Sequence, residues 1–203
     1  MLKVGITGGI GSGKSTVCRL FEKFQIPVYY ADDRAKWLMN NQEELKTKLR
    51  TSFGDAVYTE EGTLDRAYLA NLVFKDKEKL NLLNSIVHPA VFEDGQQWQA
   101  EQKAQGALYT LKEAALLFET GSYKTLDKII VVTAPEDIRI ERVMERDNVD
   151  KAAVLARMSK QMPQKEKEER ADFLITNIAW ETLNVQVSEV HEQLTYWAKR
   201  QNS

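Results

Sequence analysis

The sequence predicts an α/β fold: a five-stranded parallel sheet with helices on both faces, interrupted by a helical insertion. Three observations carry this. Five short β-prone segments recur along 203 residues. Stretches of helical periodicity separate them, and the first runs through a glycine-rich loop straight into a helix. Strands interleaved with helices imply a parallel sheet covered on both sides.

Leu2 to Thr7 is the first strand, and Gly8 to Gly13 interrupts it. Lys14 to Phe24 then places Val17, Leu20, Phe21 and Phe24 at helical spacing. Pro27 to Tyr30 is a second strand ending at Ala31-Asp32-Asp33, after which helical patterning dominates from 34 to about 105. Within that stretch Thr59 to Gly62 reads as a turn, and Asp65 as a helix cap ahead of Tyr68, Leu69, Leu72 and Val73. Strand signals return at Leu108–Leu111, Lys128–Val132 and Phe173–Ile175. Residues 136–170, with Pro135 and Pro163 near their bounds, are charged and helical and read as a peripheral or mobile segment. The closing helix sets Leu183, Val187, Val190, Leu194 and Trp197 on one face, to be packed on the sheet.

Composition excludes several functions. With 28 Lys+Arg against 30 Asp+Glu, the net charge is −2, which gives no global attraction to nucleic acid or anionic membrane. At 43% hydrophobic and 29% charged, the chain is neither disordered nor fibrous. Cys18 is the only cysteine, so no intramolecular disulfide forms and a reducing cytoplasm fits. One Cys and two His do not make a four-ligand Cys/His zinc site. The first residues lack a signal-peptide pattern, and no stretch approaches the roughly 20 apolar residues of a membrane span. A soluble, unprocessed chain is expected, with its oligomeric state left open.

Gly8-Gly9-Ile10-Gly11-Ser12-Gly13-Lys14-Ser15 spells G-x-x-x-x-G-K-[ST] between a predicted strand and a predicted helix. Glycines let backbone N–H groups approach phosphate oxygens, and the helix N-terminus adds a positive dipole. Lys14 then reaches the β- and γ-phosphates, and the Ser15 hydroxyl is a ligand for Mg²⁺. The dinucleotide fingerprint G-x-G-x-x-G fails from Gly9, because Lys14 occupies the third glycine position. The loop therefore points to a nucleoside triphosphate, and the absence of an N-K-x-D segment disfavours a guanine-specific switch.

A small-molecule kinase also needs a carboxylate for the acceptor hydroxyl and positive charge for the transferring phosphoryl group. Asp32 after the second strand and Glu113 after the third stand where open α/β sheets bind ligands. Arg139, Arg142 and Arg146 recur along one helical face that can close over a triphosphate. Neighbouring Glu136, Asp137, Glu141 and Glu145 also allow plain helical salt bridges, and Arg157, Gln161 and Lys167 extend the polar region. These residues leave three readings: a P-loop kinase of one acceptor, a kinase of another nucleotide or small alcohol, and a non-catalytic module using ATP to order a lid.

Beyond the loop, the sequence resembles the dephospho-CoA kinase family. The resemblance runs through Thr7–Thr16, Ala31-Asp32, Gly62–Arg66 with Leu69 and Val73-Phe74, Leu83–Pro89, Leu116–Glu119, Arg142, Arg146-Asp147, Gln161, and Ala171-Asp172 with Asn177. It implies a P-loop kinase-like three-layer fold: a nucleotide-binding core at 1–32, 106–135 and 171–203, a helical acceptor-binding domain at 33–105, and a lid at 136–170. It implies ATP with Mg²⁺ and phosphorylation of the ribose 3′-hydroxyl of dephospho-CoA. Asp32 then corresponds to the proton-accepting carboxylate, Lys14 and Arg142 to groups on the transferring phosphates, and Gly11, Ser12, Gly13, Ser15 and Thr16 to the phosphate cradle. Asn177 falls near the adenine position, and His88 and Glu113 on the acceptor side. Three positions depart from the family pattern. Tyr30 replaces the first aspartate of Asp-Ala-Asp, Glu113-Ala114-Ala115 replaces Asp, a branched residue and Pro, and the usual glutamine early in the helix after the fourth strand is either Arg139 or displaced, which leaves its contact unassigned.

Overall fold

Parallel strands buried on both faces must be apolar nearly throughout, and β1 (Leu2–Thr7) obeys this, every residue but Lys3 being buried. The computed structural model, which describes residues 1–74 and 76–201, gathers β1, β2 (Val28–Tyr30), β3 (Tyr109–Glu113), β4 (Lys128–Thr133) and β5 (Phe173–Thr176) into one sheet. The order is β2-β3-β1-β4-β5, with every neighbouring pair parallel. The loop after β1 therefore leaves from the middle of the sheet.

One face is covered by α1 (Lys14–Lys23) and α9 (Trp180–Gln201). Val4, Ile6, Leu111, Ile130, Val132 and Ile175 meet Val17, Phe21, Leu183, Val187, Val190 and Leu194 there. The stripe on α9 continues to buried Ala198, four residues beyond Leu194, whereas the expected Trp197 is 45% exposed. A 3.6-residue period carries position 198 back to the sheet and leaves 197 at the rim, where the Lys128 ammonium lies 5.3 Å from the indole centroid. On the other face, Leu117 and Leu126 lie where a side chain on Gly5 would stand.

β3 runs two residues past the apolar segment that predicted it. Lys112 and Glu113 are 8% and 7% exposed, because β1 and β2 pair with them from both sides and the ladder overrides side-chain polarity. Asp172 fixes the last strand. Its carboxylate accepts from Ile129 N at 2.8 Å and from the Lys128 ammonium at 2.8 Å, while its own N–H donates to Ile129 O.

The chain divides into two compact units, one of residues 1–30 and 101–203 and one of Ala31–Ala100. Residues 136–170 group with the sheet as α6 (Glu136–Asp147), α7 (Lys151–Met158) and α8 (Gln164–Glu169). The other unit holds α2 (Ala31–Asn41), α3 (Glu43–Phe53), α4 (Arg66–Phe74) and most of α5 (Lys77–Ala104), around Leu38, Leu45, Leu49, Val57, Leu69 and Val87. Asp65 caps α4 through Tyr68 N at 2.9 Å. The Phe74 side chain of the family pattern lies outside what is described. A helix break at Pro89 would be the local expectation, yet α5 continues through it. Val87, Ala90 and Val91 all pack into the unit's core, and this burial holds the helix together across the missing N–H.

Leu194 is fully buried and Val185 is 57% exposed. Leu194→Ala should lower unfolding free energy by about 2–5 kcal/mol, and Val185→Ala by no more than about 0.5 kcal/mol. Denaturant unfolding checks this, and equal losses would contradict the assigned packing face.

Candidate active site

The loop between β1 and α1 closes on itself through Ser12 N–H donating to Gly9 O at 3.1 Å. Lys14 Nζ folds back to Gly8 O at 3.1 Å, and Thr16 and Val17 N–H both donate to Gly13 O. Among the described residues, the N–H groups of Gly11, Gly13 and Ser15 have no protein acceptor. These donors sit at the start of a helix, where an anion is favoured by the dipole as well as by hydrogen bonding. Ser15 is exposed in the first turn of α1, so its hydroxyl is open to solvent. Gly11, Ser12, Gly13, Lys14, Ser15 and Thr16 thus form a cradle at the head of α1 with backbone donors left open.

The second half of the cradle is braced by Asn177. Its Nδ2 donates to Ser12 O at 2.9 Å, and its own carbonyl accepts from Arg142 Nη1 at 3.1 Å. Gly13 has φ +84°, and a Cβ there would stand 2.0 Å from Asn177 Nδ2. Conformation and space both demand glycine at this position. Asn177 and Arg142 are thus brought to the same part of the loop, one just past β5 and the other on α6.

The three α6 arginines do not form the uniform face that their spacing suggests. Arg139 is 5% exposed against the loop, whereas the Arg146 guanidinium is turned out to Asp147 at 2.8 Å, and Asp147 also takes Arg157 at 2.6 Å. Burial pushes the Arg139 guanidinium below its ordinary range, with Glu136 and Glu168 opposing that shift. Ile140, Val143 and Val154 pack with Ile10, so α6 and α7 share a small core with the loop itself.

Glu113 ends β3 opposite Ile6 and Tyr30. Burial pushes the Cys18 thiol far up, with Glu113 adding to the shift and Lys14 opposing it. Tyr30, in place of a family aspartate, packs against the core and donates its hydroxyl to Glu22 of α1 at 3.0 Å. Asp32 is exposed in the first turn of α2, inside the helix rather than capping it, since α2 starts at Ala31. His88 lies on the exposed side of α5. Asp32 and His88 belong to the unit of Ala31–Ala100, and the cradle to the other.

The sequence gives little weight to a polar anchor that the structure builds beside the cradle. Lys167 is fully buried, its ammonium 3.0 Å from Glu119 Oε1 and 3.2 Å from Ala115 O. Glu119 also accepts from Met162 N at 2.7 Å. Burial works to raise the Glu119 carboxyl, but the Met162 N–H and the Lys167 ammonium outweigh it and hold it below its ordinary range. Gln161 and Gln164 reach the loop from the same segment, accepting from Ile10 N at 2.9 Å and Gly9 N at 2.8 Å. The visible signal for this segment is the spacing of Gln161, Gln164 and Lys167 along one side of a short turn.

Comparison with known proteins places this geometry. The dephospho-CoA kinase family model matches residues 2–181. A dephospho-CoA kinase of Salinibacter ruber is 42% identical over 177 residues, covering 87% of this chain and 89% of the relative. Among solved structures, TT1252 from Thermus thermophilus is 35% identical with a TM-score of 0.82, covering 95% of this chain and 96% of that one. A dephospho-CoA kinase from Campylobacter jejuni is 27% identical with a TM-score of 0.70, covering 96% and 97%.

The Glu119 ion pair yields a pH prediction. A carboxylate whose folded pKa is depressed contributes stability above its unfolded pKa, and that contribution disappears as pH falls through the folded value. Glu119→Gln should cost about 1–2 kcal/mol at pH 7, and the difference from the parent protein should shrink as pH falls below about 5. Thermal unfolding across pH 3 to 7 checks this, and a constant difference would contradict the pairing.

Proposed function

The chain belongs to the dephospho-CoA kinase family, and on that premise we propose that it transfers the γ-phosphoryl group of ATP to the ribose 3′-hydroxyl of dephospho-CoA, the last step of coenzyme A synthesis. The observation that carries the donor side is the cradle, with its open N–H groups at Gly11, Gly13 and Ser15 beside Lys14. Such donors are fixed before the ligand arrives and neutralise phosphate charge without reorganising.

Ser15 and Glu113 supply hard oxygen donors, the chemistry that suits Mg²⁺. Ser15 would hold the ion together with the nucleotide, and Glu113 would orient a water beside it. When bound, Mg²⁺ neutralises charge on the β- and γ-phosphate oxygens.

This chain's residues do the rest. Lys14 and Arg142 counter the charge of the transferring group, Gly11 to Thr16 orient the triphosphate, and Asn177 borders the adenine side. Asp32 accepts the proton of the 3′-hydroxyl as its oxygen bonds to the γ-phosphorus and the bond from that phosphorus to the β–γ bridging oxygen breaks, releasing ADP. His88 lines the acceptor pocket. Positioning and charge carry the rate, with no covalent intermediate on the protein. No described helix is long and apolar enough to cross a membrane. The buried, lone Cys18 supports a reducing cytoplasm as the setting.

Asp32→Asn removes the proton acceptor without touching the cradle. It should lower kcat about 100-fold or more while the ATP dissociation constant stays within about twofold, read by steady-state kinetics and calorimetry. Near-normal kcat would leave Asp32 a residue of the α2 first turn and nothing more.

A further inference from the structure

Besides the Ser12 N–H, which bonds Gly9 O within the loop, the backbone donors of the phosphate loop include two contrasting sets. Those of Gly11, Gly13 and Ser15 have no protein acceptor among the described residues, whereas those of Gly9 and Ile10 are taken by side chains distant in sequence. Gln164 Oε1 accepts from Gly9 N at 2.8 Å, and Gln161 Oε1 accepts from Ile10 N at 2.9 Å. A short glycine loop has no internal ladder to hold it, and glycine loses more conformational freedom on ordering than any other residue. Something outside the loop must therefore supply the order.

The two glutamines are suited to this because they are themselves fixed. Gln164 Nε2 donates to Glu168 Oε1 at 3.1 Å, and Glu168 in turn accepts from Thr133 Oγ1 at 2.6 Å at the end of β4. Lys167, one turn on, is anchored on Glu119 and Ala115 O, and Glu119 holds Met162 N beside Gln161. Arg139 closes the same flank. A Cβ on Gly9 would stand 2.1 Å from Arg139 Nη1 and 2.9 Å from Gln164 Oε1, so any side chain there would have to displace both groups.

We propose that Gln161 and Gln164 are positioning residues that hold the phosphate loop in its anion-accepting shape before nucleotide binds. They touch neither substrate nor reacting atoms and act through the Gly9 and Ile10 N–H groups. Without them the accepting shape becomes one of several, and apparent nucleotide affinity falls by the fraction of molecules that hold it. Once nucleotide is bound the loop is ordered by its ligand, so turnover is spared. This rests on ATP as the donor.

The test uses the full chain. In the parent protein without nucleotide, the Gly9 and Ile10 amides should exchange with solvent at least about tenfold more slowly than unstructured amides, and ATP should change them little. Gln161→Met removes the acceptor at similar size. It should speed Ile10 exchange, raise the dissociation constant and KM for ATP about fivefold, the worth of one hydrogen bond, and leave kcat within about twofold. Amides unprotected until ATP is added would overturn the proposal. So would unchanged ATP affinity in Gln161→Met, or an affinity loss matched by an equal fall in kcat and in the thermal midpoint. A parent protein that binds no ATP would instead refute the donor assignment on which the proposal rests.

Discussion

A loop that binds phosphate through its backbone must leave N–H groups without a protein partner, although unpaired backbone donors are what folded chains avoid. The architecture answers this constraint. The donors of Gly11, Gly13 and Ser15 stay open at the head of α1, and the order they need is imported from elsewhere. β1 is the central strand, so the loop springs from the middle of the sheet, with a paired strand on either side. Asn177 braces one side through Ser12 O, and the two glutamines brace the other.

The same constraint explains why charged residues are buried close by. A Lys167–Glu119 pair in the interior is a poor source of net stability compared with apolar packing. It becomes sensible as a fixed point, because it holds the chain from which Gln161 and Gln164 extend. Arg139, similarly buried, covers Gly9 with its guanidinium and Gly11 with its backbone. The substitution of Tyr30 is also legible in the structure, since its ring joins the core and its hydroxyl finds Glu22. Glu113, where the family pattern has aspartate, brings a longer carboxylate to the end of β3.

Much of the fold was readable because its signals are local. The five strands, the glycine loop and the Asp65 cap each follow from periodicity or turn chemistry within a few residues, and all five strands stand where the apolar segments place them. The misplacements arise where tertiary pairing decides. Lys112 and Glu113 enter β3 because two neighbours bond them, α5 passes Pro89 because its flanking residues are buried, and Trp197 leaves the core stripe to Ala198. In the site, Lys14 and Ser15 were spelled out by the motif. The roles of Glu119, Gln164 and Lys167 were not, because a buried lysine or a glutamine bonded to a distant backbone leaves no periodic trace in sequence.

The central claim is phosphoryl transfer to one acceptor, and product analysis tests it most directly. Purified protein with Mg²⁺ and ATP is given dephospho-CoA, AMP, shikimate or no acceptor, with ADP formation followed and the acceptor weighed by mass spectrometry. The account predicts ADP release that depends on dephospho-CoA, with one phosphate gained on its ribose. ADP release indifferent to the acceptor, equal transfer to AMP or shikimate, or ATP binding without transfer would contradict it.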